Sequence, residues 1–188
     1  MPFSPSWLGW EGETVAILAS GPSMTKAQAD LAAKVKRIAI NDTYLLAADA
    51  DILYAADPEW WFHNQDALLF AGMKIMAKDV HGLPGVHFAK PLHVSVGGNS
   101  ALRAAHIAYE AGAAKIILLG VDLNDDDQTH WHGLHDAPLR NPTPSVFRAA
   151  RLAWKAAASS KMGPIIVNCS PNSSLDCFPK MTLQEALS

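Results

Sequence analysis

Three histidines, His130, His132 and His135, fall in one polar stretch, "THWHGLHDAPLRNP", with Asp136 beside the last. Imidazoles change charge near neutral pH, so His132 or His135 can serve as a general base. The H-x-H-x-x-H spacing is also compatible with a metal ion such as zinc. A second set of candidates lies at Ser20-Gly21-Pro22-Ser23. This turn follows the apolar run Ala16–Ala19 and precedes Ala27, Leu31 and Val35 at helical spacing. Gly21 permits close backbone approach, and Ser23 or Thr25 can cap the helix. N–H groups at such a helix start attract phosphate, although the same residues also make an ordinary capped connection. Asn41 and Asp57 follow two further apolar runs, where they can bond a ribose, a base or a metal, or close an Asx turn. Gly98 and Asn99, in "SVGGNSA", offer a second turn whose N–H groups can meet an anion. Asp122 follows "KIILLG", and Ser170, Asn172 and Ser173 follow the last apolar run, where they can complete a nucleotide pocket or a capped loop. Asp57 and Asp122 stand at strand ends, where a carboxylate can meet a ligand or a metal.

The elements that must position these groups alternate along the chain. Strands are expected at 14–19, 37–40, 52–55, 74–77, 115–119 and 165–168, mostly as short continuous apolar runs. Such runs suit a parallel sheet covered on both faces. Helices are expected at about 24–35, 58–70, 99–111 and 144–160. In "NSALRAAHIAYEAG", Asn99 or Ser100 caps the start and Gly112 fits the left-handed residue after the end. The alternation implies an α/β fold: a Rossmann-like open, mainly parallel sheet of about six strands with helices on both faces. In open α/β sheets ligands bind at the carboxyl ends of the strands, where the polar turns fall. The stretch 121–145 is long for a structureless loop and is expected to act as a lid. Trp60 and Trp61 read as packing, and Asp125, Asp126 and Asp127 as a solvated tip.

The 188 residues suffice for one nucleotide-binding domain over 14–188, preceded by an arm, 1–13, that is loose or docks through Trp7 and Trp10. A net charge of -3 without a basic block disfavours nucleic acid as a partner. No apolar run approaches a membrane span, and the N-terminus lacks a signal-peptide pattern. The two cysteines, Cys169 and Cys177, match no zinc or redox spacing. A cytoplasmic protein is expected, and an oligomer is compatible with the sequence.

The ordered set of strand-"SGPS"-helix, Asn41, Asp57-Pro58, "GGNSA", "KIILLGVDL" and "CSPNSS" resembles a Rossmann-like superfamily. It is shared by the bacterial sialyltransferases of glycosyltransferase family 42 and the archaeal-type 6-hydroxymethylpterin diphosphokinase-like proteins, and members also occur in phage and prophage genomes. The likeness covers roughly 14–180. Ser20 stands where the sialyltransferases carry an asparagine that contacts the nucleotide, and Asn41 matches their strand-end asparagine. Their lid histidine corresponds to His132 or His135. Their lid tyrosines have no counterpart, since no tyrosine occurs between 110 and 188. The resemblance implies a nucleotide-dependent transferase: glycosyl transfer from a nucleotide sugar to an acceptor hydroxyl, with no firm cofactor. Its other branch implies Mg²⁺-dependent diphosphoryl transfer from ATP. A non-catalytic nucleotide-binding protein is the third expectation.

Overall fold

In the computed structural model the described residues are 3–78, 80–89, 99–126, 128–160 and 163–188. Seven strands form one all-parallel sheet: β1 (Thr14–Leu18), β2 (Lys36–Ile40), β3 (Ile52–Tyr54), β4 (Met73–Met76), β5 (Val86–Phe88), β6 (Lys115–Leu119) and β7 (Ile165–Asn168). Their order is β5-β4-β3-β2-β1-β6-β7. The chain winds outward from β1 in one direction through β5, then crosses to β6 on the other side of β1. The carboxyl ends of β1 and β6 therefore flank a topological switch point, where open sheets of this kind form a crevice.

Alternate strand residues face opposite layers, as the pleat requires. Val15, Ile17, Ile38, Ile40, Ile116 and Leu118 pack against α3 (Ser100–Glu110) and α4 (Pro144–Ser159). Ala16, Leu18, Ala39, Leu53, Ile117 and Leu119 pack against α1 (Lys26–Leu31), α2 (Pro58–His63) and α5 (Leu183–Leu187). Both faces are covered, so the strands carry apolar residues at successive positions rather than at every second one. Trp60 and Trp61 are core residues of the second layer. Their indole N–H groups donate to Asp42 Oδ2 and the Ala55 carbonyl, at 3.1 Å each.

The expected helices 99–111 and 144–160 match α3 and α4, and Gly112 takes the left-handed conformation after α3. The expected helix 24–35 is shorter: α1 ends at Leu31 and a 3-10 turn, Ala32–Lys34, completes it. The expected helix 58–70 breaks at Asn64 into α2 and a 3-10 turn, Gln65–Leu69. The seventh strand, β5, is a three-residue edge strand that lacks a continuous apolar run. Residues 3–13 do not form a loose arm. Phe3 and Trp10 are buried, the Phe3 N–H donates to the carbonyl of Phe88, the last residue of β5, and the Trp10 N–H donates to the Ala111 carbonyl after α3. Trp7 remains exposed. Among the described residues, no helix is long and apolar enough to cross a membrane. Both cysteines are free, and burial pushes the Cys169 thiol up to about 11.

Candidate functional site

A cavity of about 580 Å³ opens at the switch point. Its floor comes from the ends of β1 and β6, through Ser20, Gly21, Gly120 and Asp122. Asn41 and Asp57 follow β2 and β3, Asn99 and Arg103 belong to the start of α3, and His130, His135 and Arg140 come from the long loop. The structure thus brings together Ser20, Gly21, Asn41, Asp57, Asn99, Asp122 and His135 from the expected set. Gly98 lies outside the described residues.

Several expected residues are used differently. The Ser23 N–H donates to Asp122 Oδ2 at 3.0 Å, so the protein's own carboxylate sits where an anion was expected at the start of α1. Thr25 and Gln28 complete a reciprocal capping box there. Pro22, Ser23 and the residues of α1 do not line the cavity. A Cβ on Gly21 would lie 2.2 Å from Asp122 Oδ2 and 2.3 Å from the Gly120 carbonyl. Gly21 is therefore demanded by close packing of two loops, whatever else the turn does. The Ser20 hydroxyl is directed inward, to the Ile40 carbonyl at 3.1 Å. Ser170 and Ser173 also leave the expected pocket: Ser170 Oγ accepts from the Val121 N–H at 2.9 Å, and Ser173 Oγ donates to the Val121 carbonyl at 2.6 Å. They stitch the loop after β7 to the loop after β6. Asn172 is exposed, away from the cavity wall.

Three backbone features shape the cavity. Asn41 takes a left-handed φ of 48° directly after β2, a conformation asparagine tolerates better than most residues. Leu123 takes a φ of 52°, and its carbonyl accepts from Arg151. Gly120, at φ 66°, turns the chain after β6 against the Ala19 carbonyl. Asp57 is the N-cap of α2 but makes no side-chain cap bond, and it is exposed in the cavity wall. Asp122 is buried, and its Oδ1 has no hydrogen-bond partner. Burial pushes the Tyr54 hydroxyl up to about 12, with nearby Arg103 pulling the other way.

The described residues of the loop 121–145 form no helix or strand until α4 begins at Pro144, yet the loop is anchored at several points. The Trp131 N–H donates to the Ser20 carbonyl at 3.0 Å, and its indole N–H to Thr43 Oγ1 at 3.3 Å. Asn141 brackets the His135 backbone, accepting from its N–H at 2.8 Å and donating to its carbonyl at 3.1 Å. Asp125 is not merely a solvated tip. It pairs with Arg151 at 3.1 Å and Arg148 at 3.6 Å, and the Arg151 hydrogen bond holds its carboxyl low.

These anchors gather the three imidazoles. Their rings are 4.6 to 5.0 Å apart, centre to centre. Asp42 Oδ2 lies 3.6 Å from His132 Nε2 and 3.7 Å from His135 Nδ1. The carboxylate facing His135 is thus Asp42 and not the adjacent Asp136, which is exposed. Asp42 had no distinguishing pattern in the sequence; only its place after β2 beside Asn41 pointed to it. His130 is held at about 4, by burial first and then by its histidine neighbours. His132 is lowered too, by burial first. His132 faces Asp42 and is not part of the cavity wall.

The fold is similar to that of the sialyltransferase CstII from Campylobacter jejuni. The structure of that enzyme with cytidine-5'-monophosphate superposes with a TM-score of 0.62 at 15% identity, covering 91% of this chain and 85% of CstII. The CstII complex with a trisaccharide acceptor and CMP gives a TM-score of 0.58 at 16% identity, covering 90% and 86%. The complex with CMP-3FNeuAc gives 0.55 at 13% identity, covering 90% and 86%. No protein-family model and no curated protein matches the sequence.

Proposed function

We propose that this chain is a nucleotide-dependent transferase that moves a glycosyl group from a nucleotide-sugar donor to an acceptor hydroxyl. One observation carries the reading. The cavity at the switch point combines a helix N-terminus, two arginines and a histidine backed by a carboxylate. Likeness to a sialyltransferase fold solved with CMP supports it. Asn99, Ser100 and Ala101 would meet the donor phosphate at the positive end of α3, with Arg103 and Arg140 adding charge. Asn41 would bond the ribose or base. His135 would accept the acceptor hydroxyl's proton as the oxygen attacks the anomeric carbon. The nucleotide then departs with the bonding electrons, and the arginines stabilise the charge on its phosphate. His135 takes this role rather than His132 because it lines the cavity, and Asp42 would stabilise the imidazolium formed.

A second reading, Mg²⁺-dependent diphosphoryl transfer, rests on one specific observation: the unpartnered Oδ1 of Asp122 in the same cavity as Asp57. Free carboxylate oxygens fit a hard cation, and Asp57 and Asp122 would hold it to neutralise phosphate charge. One experiment separates the two. Thermal unfolding is followed with CMP, CTP, UDP, ATP and GTP, each with and without Mg²⁺. A ligand at 100 times its dissociation constant adds about 2.7 kcal/mol. Metal-independent stabilisation by a nucleoside mono- or diphosphate is the expected result. Stabilisation by ATP only with Mg²⁺ favours the second reading, and no response to any nucleotide removes both.

A further inference from the structure

We propose that His130, His132 and His135, together with Asp42, form a binding site for a zinc-like divalent transition-metal ion that clamps the long loop onto the end of β2. The ligand nitrogens of the three histidines all lie within 4.8 Å of one another. A tetrahedral zinc site with arms of about 2.1 Å places neighbouring ligand atoms roughly 3.4 Å apart. Asp42 Oδ2 already stands 3.6 and 3.7 Å from two of the histidine nitrogens. Those separations are long for hydrogen bonds and close to the edge of such a tetrahedron. Side-chain movements on the order of 1 Å would bring all four atoms onto one ion. His132 Nε2 is buried with no hydrogen-bond partner, a position that is costly unless something occupies the space beside it.

The groups around the cluster hold the ligands as outer partners of a metal do. Thr129 Oγ1 lies 2.8 Å from His130 Nδ1, so Nε2 is the nitrogen of that ring that would take the ion. The Trp60 indole N–H donates to Asp42. Asn141 fixes the backbone of His135 from both sides, and Trp131 pins the loop between His130 and His132 to Ser20 and Thr43. Imidazole nitrogens with one carboxylate suit zinc and its first-row neighbours rather than Mg²⁺ or Ca²⁺. Three neutral imidazoles and one carboxylate leave the bound site with a single positive charge. A metal-loaded site also withdraws His135 from proton transfer, so loading and transfer exclude each other. That consequence rests on the transferase reading; the metal site itself does not.

The test uses the full chain, stripped with a chelator and titrated with Co²⁺ alone, then with Zn²⁺ as competitor. Visible absorption reports the coordination geometry. The expected result is one equivalent of Co²⁺ with the intense bands of four-coordinate geometry, displaced by Zn²⁺, and a higher melting temperature with Zn²⁺. His132→Gln and His130→Gln should each weaken binding by more than the roughly 10- to 100-fold that loss of an outer partner costs. Thr129→Val should fall within that outer-partner range, and His63→Gln, exposed on α2, should change nothing. Asp42→Asn keeps an acceptor for Trp60 and should still weaken the metal. Circular dichroism of each stripped variant establishes that it is folded. Octahedral-type Co²⁺ spectra, no saturation at micromolar metal, or equal binding by the parent and both histidine variants would overturn the proposal. Metal binding without any nucleotide response would leave this site standing and remove the transferase; nucleotide response without metal binding would do the reverse.

Discussion

At the start of α1, Thr25 and Gln28 cap each other's backbone groups, and the Ser23 N–H is taken by the carboxylate of Asp122. At the start of α3, Asn99 caps the Leu102 N–H at 3.0 Å, while Ser100 and Ala101 stand in the wall of the cavity beside Arg103. Both helices have glycines shortly before them in the sequence, and both look like anion sites when only local residues are considered. They differ in what the rest of the fold delivers to them. Asp122 reaches the first from β6 and supplies the negative charge internally. The second meets open space and two cations. A helix start binds a ligand only where the fold leaves its field unanswered.

The strongest way to break this comparison is Gly21→Val. Its Cβ would lie 2.2 Å from Asp122 Oδ2 and 2.3 Å from a backbone carbonyl, which cannot swing aside. The expected cost is about 4 kcal/mol or more, at the severe end for a single substitution. At roughly 2–4 °C per kcal/mol for a chain of this size, melting should fall by about 8 °C or more. A variant that melts like the parent but loses nucleotide affinity would make the turn a ligand contact after all.

Next comes His135→Ala. In chelator-treated protein, turnover with a nucleotide-sugar donor should drop roughly 10²- to 10⁴-fold, the usual contribution of a positioned base. Donor affinity should stay within about twofold, because this side chain would face the acceptor. Unchanged turnover would take the base away from His135 and shift the reading toward charge neutralisation by a metal.

Smaller effects should separate the charges around the two helix starts. Arg103→Ala and Arg140→Ala each remove a cation from the cavity wall. Each should weaken nucleotide binding roughly 10- to 100-fold, the equivalent of about 1.5–3 kcal/mol for a charge-assisted hydrogen bond. Lys26→Ala, on α1, removes an exposed side chain already paired with Asp30 and should leave calorimetric affinity unchanged. Equal losses from all three variants would mean that only the general field of the molecule matters.

The same contrast marks what local sequence can and cannot show. The strands β1 and β6 were legible because burial on both faces writes itself as an unbroken apolar run, and β2 through its last three residues, Ile38, Ala39 and Ile40. The helix α3 was legible through its Asn99 cap and the Gly112 after its end, and α4 through its length. The edge strand β5 was not, because Val86-His87-Phe88 is only partly buried and carries no run. Asp42 and Asp122 take their meaning from long-range partners. Asp122 is 99 positions from the N–H it accepts, and Asp42 meets two histidines delivered by a loop of a different crossover. Ser170 and Ser173 sit at a strand end, as pocket residues do, but the packing of one loop on another decides that they bond Val121. Local pattern identifies the end of the sheet where the site must be. Which polar groups remain free there depends on the tertiary pairing.

The smallest expected effects sharpen the comparison most, because they come from matched substitutions. Thr25→Ala and Asn99→Ala each remove a side-chain acceptor from the first turn of a helix. Each should cost about 1 kcal/mol of stability, visible as a similar small shift in urea midpoint at constant slope. Their effects on nucleotide binding should diverge. Thr25 caps a helix whose start is closed by Asp122, so its loss should leave the dissociation constant where it was. Asn99 holds the first turn of α3 in the orientation that presents Ser100 and Ala101 to the cavity, and Asn99 itself stands in the wall. Its loss should raise the dissociation constant several-fold, beyond what a shared change in stability explains, because a folded protein at 25 °C loses no binding-competent population to a cost of about 1 kcal/mol. If Asn99→Ala binds nucleotide as the parent does, the start of α3 is an ordinary cap. If Thr25→Ala weakens binding as much as Asn99→Ala, the carboxylate of Asp122 does not close the first helix to ligand, and the two helix starts are alike.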